Sequence, residues 1–140
     1  MDQDGKWLLC RLDGNWYGLD LGQVQEVVYR PSLIRLPTMG RAVAGMMEWL
    51  GREITVVNMG GGAGSAPDIG SKQVVVINES GSTIGLLVDE VGEIISKKLG
   101  SKIEMDPLLA KSIKAVNDAF EYEKEIVFAL NLQELSAAIS

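Results

Sequence analysis

Asp89 and Glu90, with Glu93 shortly after, are carboxylates whose spacing invites chemistry: an acid–base pair, or the oxygens of a cation site. Adjacent side chains at a strand end point to opposite faces, and the spacing of a calcium-binding loop is absent. A solvated turn or a polar contact with a partner is the better reading. The run Gly60-Gly61-Gly62-Ala63-Gly64 raises the idea of a phosphate cradle. Such a loop ends in Gly-Lys-Ser/Thr and opens a helix, whereas Ser65-Ala66-Pro67-Asp68 follows here. No histidine occurs, which removes Ser/His/Asp, Cys/His and histidine-containing zinc sites together. Cys10 is alone, so it forms no internal disulfide, and its neighbours Leu9, Arg11 and Leu12 read as a strand that buries a small thiol. The sequence therefore predicts no catalytic residue, no metal site and no cofactor.

The elements that hold these residues follow from composition and pattern. The 140 residues are 46% apolar and 23% charged, the balance of a soluble globular domain. That length is enough to bury roughly 70% of the unfolded surface in one domain. The net charge of −6, without a cluster of Lys and Arg, argues against nucleic acid or anionic lipid as the main partner. Met1-Asp2-Gln3-Asp4-Gly5 has no apolar signal segment, and no apolar run reaches membrane-spanning length, so a cytoplasmic protein without membrane insertion is expected.

An internal repeat organises the chain. Gly14, Gly18, Leu19, Val24 and Glu26 recur at one constant offset as Gly81, Gly85, Leu86, Val91 and Glu93. A second echo pairs Arg52-Glu53-Ile54-Thr55-Val56-Val57-Asn58-Met59 with the stretch from Lys124 to Leu132, with one insertion. Each copy of the first echo reads as two strands around an Asp-Gly or Ser-Gly turn, followed by a helical turn with apolar residues at i, i+3 and i+4. The hairpins are Trp7 to Leu12 with Trp16 to Leu21, and Gln73 to Asn78 with Thr83 to Val88. Ile54 to Met59 and Phe120 to Leu130 are further strands. Helices are expected at Met39 to Trp49, Leu108 to Ser112 and Leu132 to Ile139. Many short strands with a duplicated hairpin point to two related small barrels, and residues 60–67 to a flexible connection between them.

Glu26 and Glu93 hold matching places amid valines and isoleucines. They either accept local backbone N–H groups or orient a partner helix beside an apolar groove. Trp49, beside Met46 and Met47, reads as core before contact.

Tyr17-Gly18-Leu19-Asp20-Leu21, Val24-Gln25-Glu26-Val27, Arg35-Leu36-Pro37, the Gly45 to Met59 block and Ile84-Gly85-Leu86-Leu87-Val88-Asp89-Glu90-Val91 together carry a family pattern. In this order and spacing, across nearly the whole chain, they resemble the CheW-like family of chemotaxis coupling proteins. The resemblance implies a mostly β fold with short helices, in which residues 1–140 form one domain of two packed SH3-like five-stranded barrels. It implies an adaptor and not an enzyme. The implied partners are the regulatory domain of a CheA-type histidine kinase and the cytoplasmic helical tip of a methyl-accepting chemoreceptor. By motif, Val24, Glu26, Val27, Leu87 and Val88 would border the receptor groove, with Gly45 close by and Leu50 at a matched contact position. Val24→Asp and Val88→Asp are then expected to leave the protein folded and to weaken receptor binding.

Where family members typically carry Asn-Leu-Arg-Gly, this chain reads Glu48-Trp49-Leu50-Gly51. A positive group is lost and a negative one gained, which disfavours the usual receptor electrostatics. A tryptophan at this place resembles members of alternative pathways, such as type IV pilus systems. The competing class is a stand-alone β-barrel module that binds a small ligand or cation through Asp89, Glu90 and Glu93.

Overall fold

Asp13 and Gly14 both take positive φ, 51° and 82°, and Ser80 and Gly81 repeat them at 50° and 83°. Positive φ at both central residues marks the type I′ turn, whose twist matches that of the strands it joins. The computed structural model describes residues 5–34, 43–59, 72–104 and 116–138. The first turn joins β1 (Lys6–Leu12) to β2 (Asn15–Asp20), and the second joins β6 (Gln73–Glu79) to β7 (Ser82–Val88). These are the two hairpins expected from the repeat.

After β2 a 3₁₀ turn, Leu21–Gln23, leads into β3 (Val24–Val28). Then come β4 (Val43–Trp49), β5 (Arg52–Val57), the second hairpin, β8 (Glu90–Ser96), β9 (Ser101–Ile103), β10 (Val116–Tyr122), β11 (Glu125–Leu130) and the helix α1 (Leu132–Ala138). The strands form two sheets, ordered β8-β1-β2-β11-β10-β9 and β3-β6-β7-β5-β4. Among the described residues, β11 pairs with β2 and β5 with β7 in parallel, and the other pairings are antiparallel.

Aligning the two orders shows that β1, β2, β3, β4 and β5 correspond to β6, β7, β8, β10 and β11. Each sheet therefore takes its hairpin from one half of the chain and its outer strands from the other, so the sheets are not the two sequence halves. The match extends to irregularities. Bulges fall at Val24/Glu26 on β3 and at the matching place between β1 and β8, and at Val43/Gly45 on β4 and Val116/Asp118 on β10. Ile34 exchanges two backbone hydrogen bonds with Met46, at 2.8 and 2.7 Å, where Ile103 pairs with Ala119 in the other sheet.

Three apolar clusters form among the described residues. The largest lies between the sheets and includes Leu8, Cys10, Leu19, Val57, Val75, Ile77, Leu86, Val88, Phe128, Leu132 and Leu135. A second, around Ala44, Met47, Ile54, Val74, Val76 and Leu87, belongs to the five-stranded sheet. The third, around Leu9, Ile95, Phe120 and Val127 with Trp7 stacked on Phe120, belongs to the six-stranded one. The repeated Gly-Leu explains itself here. A Cβ on Gly85 would lie 2.7 Å from Val74 Cγ1, and one on Gly18 would lie 3.2 Å from the ring of Trp7, its counterpart neighbour. Each glycine makes room for a side chain inside its own sheet.

Several expected elements differ. The segment read as a helix from Met39 to Trp49 is strand β4 from Val43 onward; its first residues lie outside the described residues. Its bulge puts Ala44 and Met47 on one side, three apart, which imitates helical periodicity. The helical turn expected after each hairpin is likewise strand β3 or β8. On β3 the bulge sends both Val24 and Val27 toward the inter-sheet core. Phe120 to Leu130 is two strands, because Glu123 and Lys124 take positive φ without a glycine to announce the turn. Helix α1 falls within the expected Leu132 to Ile139, with Asn131 Oδ1 accepting from the Glu134 N–H at 3.0 Å as its cap. The expected helix at Leu108 to Ser112, the motif Arg35-Leu36-Pro37 and the connection at 60–67 lie outside the described residues.

Candidate functional site

Asp89 and Glu90 are held by groups of the chain itself. Asp89 Oδ1 accepts from the Lys72 ammonium, and Oδ2 accepts from the Asp13 N–H at 2.9 Å. Burial works to raise the Asp89 pKa. The Lys72 and Asp13 hydrogen bonds and the Arg11 charge outweigh it and hold the carboxyl below its ordinary value. Glu90 pairs with Arg11 at 3.3 Å, and the Arg11 guanidinium lies over the ring of Trp16. Among the described residues no three Cys, Asp or Glu side chains converge as a metal site. Cys10 is buried, and burial pushes its thiol up to about 12, far from the reactive thiolate range.

What the fold presents instead is strand edge. Asp20 Oδ1 accepts from the Gly22 N–H at 3.0 Å, which fixes the 3₁₀ turn carrying the chain from one sheet to the other. That turn delivers β3 as an edge strand of the five-stranded sheet. Val24 and Val27 are half-buried against the inter-sheet core, while Gln25 and Glu26 are exposed between them. An apolar lip with a carboxylate beside it is suited to a partner that supplies both burial and a counter-charge.

Leu50 sits in the β4–β5 turn, 76% exposed and at φ 49°. A branched apolar residue is uncommon in that conformation, and here it also faces water. Gly45 is buried on β4, at the opposite edge of the sheet from β3. A Cβ there would lie 2.8 Å from the Ile34 carbonyl oxygen, so the glycine serves the close approach of the chain at Leu33 and Ile34.

Leu87 and Val88 do not border a groove by their side chains. They point to opposite faces of the central strand β7, Leu87 into the core of the five-stranded sheet and Val88 into the inter-sheet core, exposed by 0% and 1%. A central strand covered on both faces reads as a continuous apolar run, which is why motif position alone could not separate core from contact. Trp49 packs against the core of its sheet, as the sequence implies. Sequence reasoning missed Ile34, which is exposed and lines a cleft with Val28, Met46, Glu48 and Glu53. An isolated bridge leaves no periodic signal that could have found it.

Two sheets thus share one apolar core, and half-buried valines lie along the edge strand β3. The CheW-like domain family matches residues 6–140, and the chain belongs to that family. Its members are non-catalytic scaffold proteins of chemotaxis-type signalling, and this chain is not an enzyme. Among solved structures it is similar to the scaffolding protein TtCheW from Thermoanaerobacter tengcongensis, with a TM-score of 0.74 and 21% identity over 94% of this chain and 87% of that one. No curated protein matches it. None of the helices among the described residues is long and apolar enough to cross a membrane.

Proposed function

We propose that this chain couples a CheA-type histidine kinase, through its regulatory domain, to the helical cytoplasmic tip of a chemoreceptor, as a cytoplasmic adaptor. The observation that carries the reading is the β3 lip: Val24 and Val27 half-buried at the rim of the inter-sheet core, with Glu26 exposed between them. Membership of the CheW-like family supports the kinase and receptor as the classes of partner. Leu50 extends the contact as an apolar group on the β4–β5 turn. In this reading each sheet also closes as an SH3-like barrel, which the separate apolar cluster within each sheet supports. Residues 60–67 link the two halves of the single domain.

The test is titration of the purified chain with a receptor-tip fragment and with a kinase regulatory domain. Val24→Asp and Glu26→Lys are expected to weaken the receptor fragment about tenfold or more while circular dichroism stays unchanged. Unaltered affinity in both variants would remove β3 from the interface. A cation-binding module has no observation in its favour, since Lys72 and Arg11 already occupy Asp89 and Glu90.

A further inference from the structure

Glu93 holds the place in the repeat that Glu26 holds in the first copy, but on β8 it borders a cleft of about 480 Å³. Buried Leu9 and Val127, half-buried Trp16 and Tyr122, and exposed Glu123 and Glu125 line the cleft with it. Strand pairing assembles these groups. Trp16 is in register with Val127 across β2 and β11, and Tyr122 pairs with Glu125 at the end of the β10–β11 hairpin. Gly92 leaves room for the Trp16 ring, since a Cβ there would lie 2.8 Å from Cζ3.

Three carboxylates thus surround an aromatic and aliphatic surface. Among the described residues no cation pairs with any of them, and Lys124, in the same turn, does not line the cleft. The Arg11 guanidinium over the Trp16 ring is paired with Glu90. Desolvation raises the Tyr122 pKa, and the Glu123 and Glu93 charges raise it further, as a negative potential at the phenol requires.

The matching place in the five-stranded sheet is built differently. In register, Thr83 stands for Trp16, Trp49 for Tyr122 and Arg52 for Glu125. There the chain supplies the guanidinium itself, with Arg52 Nη2 donating to Thr83 Oγ1 at 3.3 Å. In the six-stranded sheet a ring and a carboxylate stand where that pair stands.

We propose that the cleft between Trp16 and Tyr122 receives an arginine side chain from an exposed segment of a partner protein. A guanidinium is planar and weakly hydrated, so it stacks on an aromatic face while its N–H groups reach carboxylates at the edge. The three glutamates supply the complementary charge, and the partner supplies the group that Arg52 provides in the other sheet. The cleft is distinct from the β3 lip.

The probe is acetyl-Gly-Arg-Gly-amide, titrated into the isotope-labelled full chain at low ionic strength and followed by chemical shifts, with the citrulline peptide as its uncharged isostere. Shifts are expected at the Trp16 indole N–H and at the Tyr122 and Glu125 amides, and the citrulline peptide should bind at least about tenfold more weakly. Glu93→Gln combined with Glu125→Gln should weaken the arginine peptide about tenfold, whereas Glu53→Gln, at an exposed carboxylate on β5, should leave it unchanged. Glu125→Arg should install the chain's own guanidinium and abolish binding, with circular dichroism unaltered. No shifts at Trp16 and Tyr122 at about 10 mM peptide, equal binding of the citrulline peptide, or full affinity in the double variant or in Glu125→Arg would each overturn the proposal. The coupling role of β3 stands or falls by the receptor titration and is untouched by this outcome.

Discussion

Asp89 Oδ2 accepts a 2.9 Å hydrogen bond from the Asp13 amide, although one residue stands at the β7–β8 junction and the other in the first hairpin turn. The Asp89 amide donates in turn to the Arg11 carbonyl at 2.9 Å, and Lys72 closes on the other carboxylate oxygen. A single residue thus ties together the first hairpin, the entry to β6 and the crossover between the sheets.

That clasp has a pH dependence. The folded carboxyl titrates below its ordinary 3.8, so the folded state binds this proton less readily than the unfolded chain. The stabilisation is present above that value and is lost as pH falls through the lower folded pKa. The urea midpoint should drop below about pH 4, and Asp89→Asn should remove part of the drop. Equal acid sensitivity in both proteins would show that other carboxylates carry it.

Gly85→Ala should destabilise by about 1–3 kcal/mol, because the new methyl would lie 2.7 Å from Val74 Cγ1 and 3.1 Å from Val56 Cγ2, both fully buried. Pairing it with Val74→Ala should recover part of the loss compared with the sum of the single effects. Denaturant melts of the four proteins give the coupling directly.

Val24→Asp and Val88→Asp should now part company. Val24 is half-buried on an edge strand, so an aspartate there reaches water and the fold survives. Val88 is enclosed in the inter-sheet core, where an unpaired carboxylate costs several kcal/mol, enough to unfold a domain of ordinary stability. Circular dichroism at 25 °C separates them.

Cys10 should resist alkylation in the native protein at pH 8 and react fully in denaturant. Its thiol is buried and its pKa is pushed up to about 12 by that burial. Rapid labelling of the folded chain would contradict the packing around β1.

Leu50→Asn should stabilise the domain by about 0.5–1 kcal/mol, since asparagine tolerates the left-handed conformation that Leu50 holds at φ 49°. If Leu50 is a contact, the same variant binds the receptor fragment more weakly. A thermal melt and the titration read the two effects separately.

Part of this structure was legible in the residue pattern. Asp13-Gly14 and Ser80-Gly81 announce their hairpins because type I′ turns favour such residues, and the repeated Gly-Leu of Gly18 and Gly85 reports a demand for space inside each sheet. The β4 strand and the segments at Val24 and Val91 were hidden, since a bulge converts the period of two into an apparent spacing of three. At the candidate site, Val24, Glu26 and Val27 stay together on β3, while Leu87 and Val88 are taken into the cores.

By itself the sequence determined what is local: turns, strand propensity, the absence of histidine chemistry, and the duplication that carries the family likeness. Only the tertiary structure decided which half each strand joins, because pairing across sheets depends on long-range closure that no local preference encodes. The same closure decided that Leu87 and Val88 are enclosed while Ile94 and Leu50 meet water. Burial belongs to the assembled sheets, and identical side chains on a strand acquire it or lose it according to what is laid against them.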